Sequence, residues 1–339
     1  MLCECGICVA APEKNLNPMA LLNSITVDLE EYFHPSEVWH NVDSDRWDDM
    51  PPRVELATHR VLELLERRRT RSTFFVLGWV AHRYPALIRE IADAGHEIGC
   101  HSYSHQLVYD LTPAQFKADT KLAIQSIYDA CGIVPRSYRA PSYSITQRSL
   151  WALDVLAECG FTHDSSIYPI SHDRYGILGY SRQAKVVHTP SGDLLEVPIA
   201  TVKLGRDRVS PVGGGAYLRL LPYRYTAAGI RRMNADGDPA CVYFHPWELD
   251  PQQPRMACGL LARLRTYTGL SAMEGKIDRL LGEFRFAPLT DVFPIPSESP
   301  LSSAASLIHG RTHAPEINPE TDDASVSGVG AASPAARRR

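Results

Sequence analysis

Apolar residues recur along this chain with two alternating periods, one near two residues and one near three and a half. Ser24–Val27 reads as a buried strand, and Val54–Arg68 sets Val54, Ala57, Val61, Leu64 and Leu65 on one helical face. Ser72–Leu77, β-branched and aromatic, is a second strand. Pro85–Ala94 is helical and stops at Gly95, after which His96–Cys100 forms a third strand. Thr112, Pro113 and Gln115 supply the N-cap, first-turn proline and capping-box partner of a helix ending near Gly132. Strand Ser137–Ala140, helix Gln147–Glu158 closed by Gly160, and strand Phe161–Ser165 continue the rhythm. Repeated βα units predict an α/β fold on a parallel sheet, closed as a barrel or open and doubly wound.

Beyond residue 165 the rhythm changes. Val186–Thr189 and Leu194–Thr201, joined by Pro-Ser-Gly-Asp, predict a β-hairpin. Gly213, Gly214 and Gly215 lack a following lysine and read as a tight turn, not a nucleotide cradle. A helix over Tyr223–Asn234 leads to strand Ala240–Phe244, which ends at His245. The stretches Leu260–Phe284 and Phe286–Phe293 supply one more helix and one more strand.

The length of 339 residues suits one large domain with loose ends. A net charge of -4 argues against a nucleic-acid binder or a polybasic membrane surface. No apolar run is long enough to cross a bilayer, and the first residues lack a basic start before a long apolar stretch, so a reduced, cytoplasmic protein is expected. Cys100, Cys131, Cys159, Cys241 and Cys258 are scattered and read as buried small residues; Cys3, Cys5 and Cys8 cluster without a visible fourth ligand. Residues 1–18 are expected to be a disordered extension. From about 296 to 339 the chain is rich in Ser, Ala, Pro, Glu and Asp and ends in three arginines, a composition that predicts a disordered tail. The folded domain is therefore expected over 19–295.

Candidate chemistry gathers at strand ends. His101 and His105 stand at i and i+4, a spacing at which two imidazoles face the same way; with an upstream carboxylate they can hold a divalent metal and leave positions open. Asp28 and Glu30 follow the first strand, Arg139 the fourth, Asp164 the fifth and His245 a late one, which is where α/β barrels assemble their sites. Residues two apart in an extended segment share a face, so Asp28 and Glu30 look into the barrel mouth together while Leu29 and Glu31 point elsewhere. Arg139 and Asp164 read equally well as a plain buried ion pair.

The ordered set Thr-Val-Asp-Leu-Glu at 26–30, His-Ser-Tyr-Ser-His at 101–105, Arg-Ala-Pro at 139–141, Asp-Ser-Ser at 164–166 and Tyr-Phe-His-Pro at 243–246 resembles the polysaccharide deacetylases with a NodB-homology domain, carbohydrate esterase family 4. The resemblance covers roughly residues 20–295, as a NodB-like core to about 250 plus a family-specific segment, 251–295. Asp-Leu-Glu-Glu-Tyr-Phe-His at 28–34 and Phe-His-Pro-Trp-Glu-Leu-Asp-Pro at 244–251 are most similar to the subgroup associated with exosortase and exopolysaccharide gene clusters.

The resemblance implies a distorted (β/α)7-type barrel and a metal held by His101, His105 and a carboxylate. Many members have two adjacent aspartates in the first motif; here Leu29 intervenes, and the strand-face argument makes Glu30 the third ligand. Zinc, cobalt, nickel and iron all suit such a set. By the same resemblance Asp28 is the general base, Arg139 its partner, the Ser142 N–H an oxyanion donor, His245 the acid that protonates the leaving amine, and Asp164 the group that raises the pKa of His245. Tyr143, Tyr168 and Trp247 are sugar-stacking candidates, although such aromatics are more often core than platform; His34 and His40 are taken as loop residues. The expected activity is removal of N-acetyl groups from amino sugars of a bacterial exopolysaccharide or its precursor, with the N-acetylated polysaccharide or oligosaccharide as partner and an association with the exopolysaccharide synthesis machinery. The rivals are a metal-independent amidohydrolase of the same fold acting on a small cyclic amide, and a catalytically silent carbohydrate-binding protein of the export machinery.

Overall fold

In strand β1 (Leu22–Leu29) Ile25, Val27 and Leu29 enter the outer apolar layer while Thr26 and Asp28 point inward to Arg139, as alternation along a strand requires. The computed structural model describes residues 20–35, 38, 42, 44–172, 174–205 and 208–295; the extensions expected over 1–18 and 296–339, with Cys3, Cys5, Cys8 and His40, lie outside them. On one side of β1 run β2 (Thr73–Val76), β3 (Glu97–Cys100), β4 (Ser137–Tyr138) and β5 (His163–Asp164), each parallel to its neighbour. The hairpin β6 (Lys185–Thr189) and β7 (Gly192–Glu196) follows, with β7 parallel to β5 and β6 antiparallel at the edge. β10 (Cys241–Phe244) and β11 (Arg285–Ala287) complete nine strands by pairing with β1. The result is a curled, mostly parallel α/β sheet.

Helices α1 (Val54–Arg67), α2 (Gly78–Arg83), α3 (Pro85–Asp93), α4 (Pro113–Cys131) and α5 (Ala152–Glu158) cover the outside of the sheet. Val61, Leu64, Leu65, Ile88, Ile91 and Ile127 are fully buried against it, each contributing about 1.5–3 kcal/mol. The expected capping box of α4 is present, and Gly132 ends that helix in the left-handed region. Glu31 caps α1 from outside the helix, its Oε1 accepting the Arg53 and Val54 N–H groups at 2.7 and 2.9 Å. Burial pushes this carboxyl up to about 7 although those donors favour its charge.

Several elements differ from expectation. The second hairpin strand stops at Glu196, and residues 197–200 run irregularly across the opening of the sheet: Val197 N–H donates to Asp164 O and Ala200 N–H to Cys241 O. A second hairpin, β8 (Thr201–Leu204) and β9 (Arg208–Pro211), and helix α6 (Gly215–Leu220) occupy what the pattern left as a loop before α7 (Tyr223–Ala235). The glycines at 213–215 are not a tight turn. Tyr243 N–H donates to Gly213 O and Gly214 pairs with Tyr243, so this segment lies directly along β10; a Cβ on Gly214, at φ +137°, would sit 1.8 Å from Tyr243 O. The single helix expected over Leu260–Phe284 is two, α8 (Leu260–Tyr267) and α9 (Leu270–Glu283), parted at Gly269 with φ +82°. The final strand is only β11, after which α10 (Leu289–Val292) begins. Of the scattered cysteines Cys100 and Cys241 are buried and the other three are partly exposed.

Candidate active site

Asp28 and Glu30 emerge side by side from the end of β1, both buried. Arg139, fully buried after β4, donates to Asp28 Oδ1 at 2.7 Å and to Thr26 Oγ1 at 2.6 Å. Its other nitrogens reach Ser165 O and Ser165 Oγ at 3.1 and 2.9 Å, and its plane lies 4.2 Å over Phe75. Burial disfavours the guanidinium, but Asp28 more than offsets this and holds the Arg139 pKa above its ordinary value. The arginine is thus paired with Asp28 and not, as an ion pair, with Asp164. It fixes one carboxylate oxygen and leaves the other facing the cleft.

His101 and His105 converge, but not through a helical turn. Residues 101–105 form a loop after β3 with Ser102 at φ +63° and His105 at φ +55°. Asp119 on α4 accepts the Tyr103 and Ser104 N–H groups at 2.9 and 3.1 Å, and Gly78 N–H at the start of α2 donates to Ser102 O. These bonds hold a strained loop that turns both imidazoles inward. His101 donates through Nδ1 to Arg139 O at 2.8 Å, which leaves Nε2 with its lone pair toward the cleft. Burial lowers the His101 pKa to about 4.

Glu30, His101 and His105 each offer one ligand atom, and the three atoms lie within 4.8 Å of one another. Glu30 Oε2 is 2.6 Å from His105 Nε2, yet no hydrogen bond is aligned on it, a geometry that suits two lone pairs sharing a cation. Burial raises the Glu30 pKa, but the charges of His105 and His245 outweigh it and hold the carboxyl well below the usual range. Two imidazoles and a carboxylate with an open cleft beside them fit a divalent metal with free positions.

His245 follows β10 and stacks on Trp247 at 5.1 Å. Its Nε2 faces Glu30 Oε1 at 3.3 Å and Asp28 Oδ2 at 3.9 Å. Its Nδ1 lies 2.9 Å from Glu248 Oε2, and Arg219 on α6 donates to Glu248 Oε1 at 2.5 Å. Burial opposes the imidazolium, but Glu30, Glu248 and Asp28 raise the His245 pKa to about 9. Asp164, expected in the Glu248 role, is elsewhere. It is wholly buried, accepts from Ser166 Oγ, and sits in register with Glu196 on β7. Glu248 and Arg219 are the residues that sequence reasoning missed. For Glu248 the signal was present: it forms a capping box with His245, with Pro246 at the first helical position, the pattern recognised at Thr112.

The cleft above these groups is lined by Ser142, Tyr143, Tyr175, Tyr217, Tyr243 and Trp247 among others. Ser142 and Tyr143 both have left-handed backbone, with φ +52° and +54°. Trp247 also donates to Glu30 Oε1 at 3.2 Å, so it orients the carboxylate as well as walling the cleft. Tyr168 is fully buried and is core, not a sugar platform. His34 lies in the loop after β1, as expected, but is buried there: it stacks on His105 at 5.8 Å and accepts from Glu31 N–H through Nδ1.

Residues 46–163 match the family model described as polysaccharide deacetylase. That segment is similar to the polysaccharide deacetylases. That match spans His101, His105, Arg139 and Ser142, while residues 165–294, with Arg219, His245 and Glu248, match a model described as a domain of unknown function, DUF3473. The chain is 27% identical over 157 residues to a peptidoglycan deacetylase of Helicobacter pylori, covering 42% of this chain and 53% of that protein. It is 36% identical over 102 residues to a chitooligosaccharide deacetylase of a Bradyrhizobium species, covering 30% and 44%. The chain thus spans about half the length of these curated relatives. A Mycobacterium smegmatis structure assigned to the polysaccharide deacetylases has the same fold, with a TM-score of 0.55 at 20% identity, covering 82% of this chain and 93% of that one. The PuuE allantoinase shares the fold too, with a TM-score of 0.54 at 15% identity, covering 84% and 93%.

Proposed function

We propose that this protein is a metal-dependent hydrolase that removes N-acetyl groups from amino sugars of a bacterial exopolysaccharide or its precursor. The observation that carries the reading is the convergence of Glu30, His101 and His105 beside the Asp28–Arg139 pair and His245. Zinc, cobalt, nickel or iron suits that donor set. When bound, such a cation supplies Lewis acidity, polarising an acetamide carbonyl and making water nucleophilic near neutral pH.

The chain's own residues do the rest. Asp28, with Oδ1 held by Arg139, takes the proton of the attacking water on Oδ2. The Ser142 N–H on the cleft wall donates to the developing oxyanion. His245 gives its Nε2 proton to the amine as the C–N bond breaks, releasing acetate and the free amino sugar. Glu248 and Arg219 keep that imidazole oriented and charged. Tyr143 and Trp247 offer aromatic walls to the pyranose ring. The converging trio speaks against a metal-independent amidohydrolase, and the intact Asp28, Arg139 and His245 speak against a silent binding protein. Acetate release from N-acetylglucosamine oligomers by zinc-loaded protein tests the reading. Release that is lost in Asp28→Asn supports it, and no release from metal-loaded protein on any N-acetylated glycan opposes it.

A further inference from the structure

The cleft has an unusual rim. Arg265 and Thr266 of α8 line it, and the same helix turns Leu260, Leu261 and Leu264 to solvent at 75%, 62% and 52% exposure. Single exposed leucines are ordinary, but three within five residues form a patch. The neighbouring α6 adds Leu220, 45% exposed. The charge around the patch is one-sided. Residues 251–273 hold no Asp or Glu but include Arg255, Arg263 and Arg265, in a chain whose net charge is -4. Among the described residues none of these three arginines has an ion-pair partner.

The patch is also fixed to the catalytic groups. The Arg219 guanidinium donates to Arg265 O at 2.6 Å, Thr266 O at 3.0 Å and Thr268 O at 2.9 Å, satisfying carbonyls at the end of α8. That guanidinium is the one that holds Glu248 behind His245. A surface seated on α8 therefore has a set position relative to the cleft.

We propose that α8 docks on a membrane surface bearing anionic lipid headgroups, with the cleft mouth held at the bilayer. Leucines enter the boundary of the acyl chains while the arginines meet phosphate, the division of labour of an interfacial amphipathic helix. A second copy of this chain fits the patch poorly, because a two-fold contact would bring the arginines of both copies together. A soluble polyanion would leave the leucines in water. The patch is small, so attachment is reversible, dependent on anionic lipid and weakened by salt. The whole-chain charge that argued against a polybasic membrane surface does not bear on this local patch.

The test is co-sedimentation of the full chain with phosphatidylcholine vesicles, with and without phosphatidylglycerol, at low and raised salt. The expected result is binding only where phosphatidylglycerol is present, with the partition coefficient falling about tenfold in the combined variant Leu260→Gln, Leu261→Gln, Leu264→Gln. An unchanged thermal midpoint shows that this variant is folded. No sedimentation with either vesicle, or equal binding by the variant, overturns the proposal. So does a wild-type dimer in sedimentation velocity that becomes monomeric in the variant. The readout needs no catalysis, so its failure is separate from failure of the deacetylase reading.

Discussion

Glu248 holds His245 twice, its Oε2 accepting the His245 backbone N–H at 2.9 Å and lying 2.9 Å from the ring Nδ1. The second contact fixes the tautomer and ring plane, leaving Nε2 to face Asp28 and Glu30. Arg219 keeps Glu248 ionised: burial would raise its pKa, but Arg219 and His245 lower it.

Glu248→Gln is therefore expected to lower kcat about 10²-fold with little change in KM, because the lost effect belongs to proton transfer. Asp164→Asn is expected to leave kcat within a few-fold of wild type. Steady-state acetate release on an N-acetylated oligosaccharide separates the two. A larger loss in Asp164→Asn would return the role to Asp164.

The Asp164–Glu196 pair predicts a pH dependence of stability. Burial and Asp164 raise the Glu196 pKa well above its ordinary 4.5, and burial raises Asp164 above its ordinary 3.8. A carboxyl with a raised folded pKa stabilises fully below its unfolded value and loses that contribution as pH rises toward the folded value. Wild type should thus lose stability from about pH 4.5 upward relative to Glu196→Gln, which keeps a neutral side chain throughout. Urea midpoints across this range check it; parallel curves for the two proteins would count against a protonated Glu196.

Gly214→Ala should cost more than about 2 kcal/mol, since the new Cβ meets backbone and not a flexible side chain. Gly237→Ala, whose Cβ would meet nothing within 4 Å, should cost about 1 kcal/mol, the expense of its left-handed backbone. Equal midpoints for the two variants would mean that the Gly214 contact along β10 is looser than described.

Much of this arrangement is legible in the sequence, and the gaps have physical causes. Strands and outer helices follow apolar spacing because both faces of β1 to β3 are covered, and Asp28 and Glu30 share a direction by alternation alone. The His101–His105 loop is not legible as such. Its shape comes from left-handed Ser102 and His105, non-glycine residues that advertise no positive φ, and from Asp119 on another element. Arg219 lies on the six-residue helix α6 beyond β9, too short for apolar periodicity to reveal it. Gly269 was a readable break between α8 and α9, outweighed by the apolar spacing on either side of it.

The central claim is that Glu30, His101 and His105 hold one catalytic metal. Equilibrium zinc titration of chelator-treated protein, with acetate release measured in the same samples, tests it most directly. One ion per chain is expected, with acetate release rising in proportion to occupancy and both lost in His101→Ala and in His105→Ala. Full acetate release from metal-free protein, or stoichiometric zinc binding that survives both substitutions, would contradict it.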